Sequence, residues 1–146
     1  MAEKTPSHLH KELTLFDLQK MFPTDHEAKK WIENIRWVDG LKCPHCQGTN
    51  IQTIVTHKTM DYRCRSCRNW FSVRTGTIMQ KSKLPLLHWV YAVYIQTSRS
   101  KGKARMQVHR ELGITPKTAW LLLHRMRKAW EERVGMFSGP VEVDET

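Results

Sequence analysis

Two cysteine pairs constrain what this chain can fold into more than any other feature: CPHC, with Cys43 and Cys46, and CRSC, with Cys64 and Cys67. Seventeen residues lie between them, within the C-x2-C-x15–20-C-x2-C spacing of a metal site. Two thiolates two residues apart close on one ion through a tight knuckle, and a second knuckle completes a tetrahedral sulfur shell. A full shell of four cysteines leaves no open coordination position, so the implied zinc is structural, and His45 and His57 are bystanders. Disulfides are the alternative, and a cytosolic chain disfavours them. Around the pairs, Ile51 to Thr56, Met60 to Cys64 and Trp70 to Arg74 read as strands, with His57, Lys58 and Thr59 at the first turn. The expected unit is a zinc ribbon over residues 41–76, too small to fold without the free energy of metal binding. Lys42, Arg63, Arg65 and Arg68 lower the thiol pKa values and offset the site's negative charge. Trp70 and Phe71 are read as core or as packing onto a neighbour, with base stacking the alternative.

Helices flank the ribbon on both sides. Upstream, residues 1–40 form an N-terminal helical segment in which Thr24 and Glu27 make a capping-box pattern. Ala28, Trp31, Ile32 and Ile35 then recur at helical spacing, giving an apolar face expected to pack on the ribbon, with Gly40 ending the helix. Downstream, a helical region spans 77–135. Its first helix is expected to start with Ser82 as cap and Pro85 in the first turn. Leu86, Leu87, Val90, Val93 and Tyr94 give that helix an almost continuous apolar surface, as for a central buried helix, while His88 is a surface residue.

The later part of this region reads as a helix-turn-helix. A helix from Ala104 to Leu112 stops at Gly113, which tolerates the left-handed conformation, and Ile114 plugs the corner. Thr115 caps a second helix with Pro116 at its first position. Ala119, Leu123, Met126 and Trp130 form its apolar back. Lys117, Leu121, His124 and Lys128 lie opposite, flanked by Thr118 and Arg125. Such a helix suits the major groove, with Lys117, Thr118 and Leu121 reaching bases and Arg125 and Lys128 reaching phosphates. Arg99, Lys101, Lys103 and Arg105 add a basic cluster placed to touch the DNA backbone. An ordinary hairpin with a solvated basic face is the rival reading.

Charge supports a polyanionic partner. Lys and Arg number 24 against 14 Asp and Glu, for a formal net charge of +10. The N-terminus has no apolar signal core, and the run from Leu84 to Ile95 is too short to span a bilayer. A soluble, cytoplasmic, nucleoid-associated protein is expected.

The order of the parts is more specific than any one of them. FPTDHEAKKWIENIRW leads into LKCPHC, then YRCRSCRNWFSVRTGTIMQKSKLPL, then LGITPKTAWLLLHRMRKAW, then VEVDET. From Phe22 to its end the chain resembles the N-terminal portion of a bacterial insertion-sequence transposase of the ISXO type, in the insertion sequence 1595 group. The fold expected is mainly α with a small β zinc ribbon, followed at 139–146 by the first strand of a truncated RNase H-like α/β catalytic domain. The resemblance implies double-stranded DNA, the terminal inverted repeats of a mobile element, as partner, and action as a homo-oligomer. It also places a first catalytic aspartate at Asp144, one ligand of a two-Mg²⁺ site whose other carboxylates lie outside this chain, so the chain is expected to be inactive alone. A stand-alone zinc-ribbon/helix-turn-helix regulator or transposition inhibitor is the alternative function.

Overall fold

The computed structural model describes residues 13–98 and 104–134. These are mainly helical, with one small antiparallel sheet. The elements are α1 (Leu15–Met21), α2 (Asp25–Arg36), β1 (Ile51–Thr53), β2 (Tyr62–Cys64), β3 (Trp70–Phe71), α3 (Leu86–Thr97), α4 (Arg105–Leu112) and α5 (Pro116–Val134). Contacts divide the chain into two compact units, residues 1–103 and 104–146.

In the first unit, α2 begins as its sequence dictates. The Thr24 backbone N–H donates to the Glu27 carboxylate at 2.9 Å, closing the capping box. The helix ends at Arg36 with Trp37 as its C-cap, not at Gly40. Gly40 instead turns the chain after the helix, with φ +96°. Ahead of α2 lies a helix that the sequence pattern does not predict: α1, whose Thr14 and Asp17 make a second capping box. Leu18 and Phe22 from this end of the chain are buried with Ala28, Val73, Leu86 and Val90 in one core.

The sheet runs β1-β2-β3, with Ile51 opposite Cys64, Thr53 opposite Tyr62, and Tyr62 opposite Phe71. All three strands lie where the sequence places them but are shorter than expected. β2 ends at Cys64 as expected but starts only at Tyr62, the Met60 N–H donating to His57 Nδ1 in the preceding turn. Past Phe71 the chain turns at Ser72, whose backbone N–H donates to Thr75 Oγ1 at 3.0 Å. Trp37 joins the sheet to α2, its ring edge-on to Tyr62 at 5.5 Å and to Phe71 at 6.3 Å. Beside it, Tyr62 donates to Glu33 at 3.0 Å and Lys29 pairs with Asp61 at 2.6 Å. The helix does pack on the ribbon, but not by the apolar face expected from sequence: Ala28 and Ile32 belong to the core shared with α1 and α3, and Trp31 and Ile35 are exposed.

The connection from β3 to α3 is held by two arginines. Arg36 donates to the Val73 carbonyl at 2.6 Å and also to those of Ser72 and Thr75. Arg74 donates to the carbonyls of Ser82 and Leu84, at 2.8 and 2.7 Å. Burial lowers both guanidinium pKa values, and Asp25 opposes that at Arg74. Ser82 does not cap α3; the N-cap is Pro85, and the Ser82 hydroxyl accepts from Leu84 N at 3.2 Å. One free N–H of the first turn of α3, that of Leu87, donates to Asp25 at 2.8 Å instead. Along α3, Leu86, Trp89, Val90, Ala92 and Ile95 are buried, whereas Val93 is exposed.

In the second unit, α4 and α5 form a hairpin. Gly113 adopts φ +62° as the C-cap of α4. The ring of His109 donates through Nδ1 to the Ile114 carbonyl, tying the corner. Thr118 N donates to Thr115 Oγ1 at 3.2 Å, so Thr115 caps α5 with Pro116 at its first position, as expected. Val108, Ala119, Leu122, Leu123 and Met126 are buried. Trp130 departs from the expected apolar back and is 44% exposed, while Leu122 joins that back. The eight residues of α4 are too few to cover the nineteen of α5 along its whole length.

Among the described residues no helix is long and apolar enough to cross a membrane. Residues 139–146, where a catalytic strand is expected from the sequence, lie outside the described residues.

Candidate functional site

The four cysteines converge from two knuckles of matching build. In the first, Cys43 N donates to Gly48 O at 3.0 Å; in the second, Cys64 N donates to Asn69 O at the same distance. The residue after the second cysteine of each pair is left-handed, Gln47 at φ 59° and Arg68 at φ 61°. Neither is glycine, and the cysteine spacing alone gives no signal of this strain. Space at Gly48 is tight: a Cβ there would lie 3.2 Å from the Cys46 sulfur, so the knuckle would have to give by a few tenths of an ångström.

The sulfurs lie within 4.8 Å of one another, with Cys43 and Cys67 at 3.7 Å and Cys46 and Cys64 at 3.5 Å. A tetrahedron with zinc–sulfur bonds of about 2.3 Å has edges of about 3.8 Å, so the spacing fits such an ion. The surrounding amides fit as well. His45 N donates to the Cys43 sulfur at 3.4 Å. The amide of Cys67, opposed by desolvation and helped by the Cys46 thiol and the Ser66 amide, pulls the Cys64 thiol down to about 6. At Cys46 the Gly48 amide favours thiolate, but the sulfurs of Cys64 and Cys67 outweigh it, and the thiol is pushed up to about 12. The neighbouring sulfurs hold the proton on Cys46, and a bound dication would remove that repulsion. The donor set is all-thiolate and closed, suited to structural zinc.

Behind the sulfurs lies a small core. Cys43, Cys64 and Phe71 are buried, flanked by Trp37, Leu41, Ile51 and Tyr62. Phe71 is therefore core, whereas Trp70 is 40% exposed on the other face of the sheet.

The residues read as DNA contacts are placed as follows. Lys117, Leu121 and Lys128 are exposed on α5 and fall within one narrow sector at 3.6 residues per turn. Thr118 is half-buried, and its hydroxyl is 2.8 Å from that of Thr115, so it is engaged in the cap. Arg125 is half-buried, and Arg105 is exposed in the first turn of α4. Lys103 and Asp144 lie outside the described residues. Trp120, which the sequence pattern does not single out, is 46% exposed and lies flat on His124 at 5.2 Å. Their four-residue separation is the available signal.

A three-stranded sheet on two cysteine knuckles defines a zinc ribbon. Residues 23–69 match the transposase zinc-ribbon domain family. That span starts just before α2, in keeping with the contacts of α2 on the ribbon. The chain is also 28% identical over 127 residues to an uncharacterised protein in transposable element ISH50 of Halobacterium salinarum, covering 86% of this chain and 42% of that protein. Family match and relative together support an N-terminal region of insertion sequence 1595 type. The chain thus spans less than half the length of that relative. No solved structure matches it.

Proposed function

We propose that this chain is the DNA-binding N-terminal region of a transposase, recognising the terminal inverted repeats of its mobile element. Zinc at Cys43, Cys46, Cys64 and Cys67 holds the ribbon, and α4 and α5 act as a helix-turn-helix with α5 in the major groove. The observation carrying this reading is the α5 surface: a buried back of Ala119, Leu122, Leu123 and Met126 behind exposed Lys117, Leu121 and Lys128. Lys117 stands in the first turn, the part of a recognition helix that reaches bases. Lys128 and Arg125 lie further along, suited to phosphates, and Arg105 marks the start of the first helix. Thr118, engaged in the cap, serves the turn before it serves a base. In the longer protein, Asp144 contributes one carboxylate to a Mg²⁺-dependent phosphoryl-transfer site.

The test is charge reversal on the exposed sector. Lys117→Glu with Lys128→Glu is expected to weaken duplex binding by at least about tenfold while helicity and zinc content stay unchanged. Unchanged binding by the double variant would remove α5 from the interface.

A further inference from the structure

The sheet of the ribbon has two unlike faces. Cys64, Tyr62 and Phe71 point into the small core, so by strand alternation their neighbours point out. The register sets Gln52 opposite Arg63 and Arg63 opposite Trp70, forming one row across three strands. All three are exposed. The Arg63 guanidinium sits over the Trp70 ring at 5.5 Å, and the His57 ring lies 5.1 Å from the same indole. His57 is itself fixed: its Nδ1 accepts from Thr59 N at 3.2 Å and Met60 N at 3.0 Å. With Nδ1 accepting, the ring proton of neutral His57 is on Nε2, leaving a second donor beside the indole.

Among the described residues, the carboxylate nearest this row in sequence, Asp61, is paired with Lys29 of α2. Arg65 and Arg68 are exposed on the knuckle that follows β2. A guanidinium stacked on an indole loses part of its rotational freedom before any ligand arrives, while its N–H edge stays available. That is a pre-organised donor for a planar or tetrahedral anion, and the charge balance of the chain favours a polyanion.

We infer that the Gln52–Arg63–Trp70 row is a second DNA-contact surface, with Arg63, held on Trp70, gripping the sugar-phosphate backbone of duplex DNA. Trp70 is a positioning residue here, aligning the guanidinium rather than reading a base. This deepens the DNA-binding reading above, but it rests on a different unit of the chain from α5.

The experiment titrates the zinc-loaded chain against a duplex that it binds, across a range of salt. Arg63→Gln is expected to weaken binding about tenfold and to lower the slope of log K against log salt by about 0.9, one phosphate contact. Trp70→Ala, which removes no charge, is expected to weaken binding in the same direction, with Trp70→Phe closer to the parent. Gln52→Glu places a carboxylate on the row without touching the stack, and is also expected to weaken binding. Zinc content and amide exchange report whether each variant keeps its ribbon. Parent-like affinity and slope in both Arg63→Gln and Gln52→Glu overturn the inference, and if the α5 double variant still loses binding, the α5 reading stands. Loss of binding in the ribbon variants beside an unaffected α5 double variant supports the row and removes α5 from the interface. No duplex binding by the parent sinks both.

Discussion

Gly113 carries the corner of the helical hairpin by its backbone alone. It sits at φ +62°, and a Cβ added there meets nothing within 4 Å, so a substitution costs conformational energy rather than space. A β-branched residue is the most strained in the left-handed region. Gly113→Val is expected to lower the stability of the hairpin by about 1–2 kcal/mol, and Gly113→Asn by less. Chemical denaturation of the two variants side by side reads the difference. Tyr62 offers a second test. Burial first, then the Glu33 carboxylate, pushes its hydroxyl well above the usual tyrosine range. A raised folded pKa means that the neutral phenol stabilises the fold fully below the unfolded value of about 10 and loses that contribution as pH rises towards the folded one. Stability is therefore expected to fall above about pH 10, and Tyr62→Phe is expected to flatten that slope. An identical alkaline slope in the Phe variant would show that the loss arises elsewhere.

At the scale of elements, the ribbon is expected to depend on a metal at its four cysteines. Three short strands and a core of Cys43, Cys64 and Phe71 bury little apolar surface. Chelation is expected to abolish amide protection from residue 41 to residue 71, and Cys64→Ser to do the same without chelator. Protection retained in metal-free protein would contradict a zinc-dependent ribbon. The elements legible in the sequence are those whose signals are local. The cysteine spacing marks the knuckles, Thr24 and Glu27 mark the start of α2, and Gly113 with Pro116 marks the hairpin turn. The rest depends on distant partners. Arg36 reaches carbonyls 36 to 39 positions away, and Asp25 satisfies an N–H of α3 where a Ser82 cap is expected from sequence. Helix α1 has only seven residues, too few for periodicity to stand out, although its Thr14 and Asp17 carry the capping pattern. Trp130 has the right helical phase for the seam, but phase does not reveal where a partner helix stops.

At the scale of the whole chain, a ribbon and a helical hairpin occupy separate compact units, each with its own basic surface. Exposed Lys117 and Lys128 mark one, and Arg63 on Trp70 marks the other. With a net charge of +10, part of any duplex binding is indifferent to sequence and falls steeply with salt. In the proposed arrangement, sequence preference comes from the exposed first-turn side chains of α5. The most direct measurement is a competition titration of the zinc-loaded chain between duplexes carrying the terminal inverted repeat of its element and scrambled duplexes of equal length, at about 150 mM salt. The expected result is tighter binding to the repeat by about tenfold or more, with both affinities dropping as salt rises. Equal affinity for repeat and scrambled duplexes, or no salt-sensitive binding to either, would contradict recognition of the element ends by this chain.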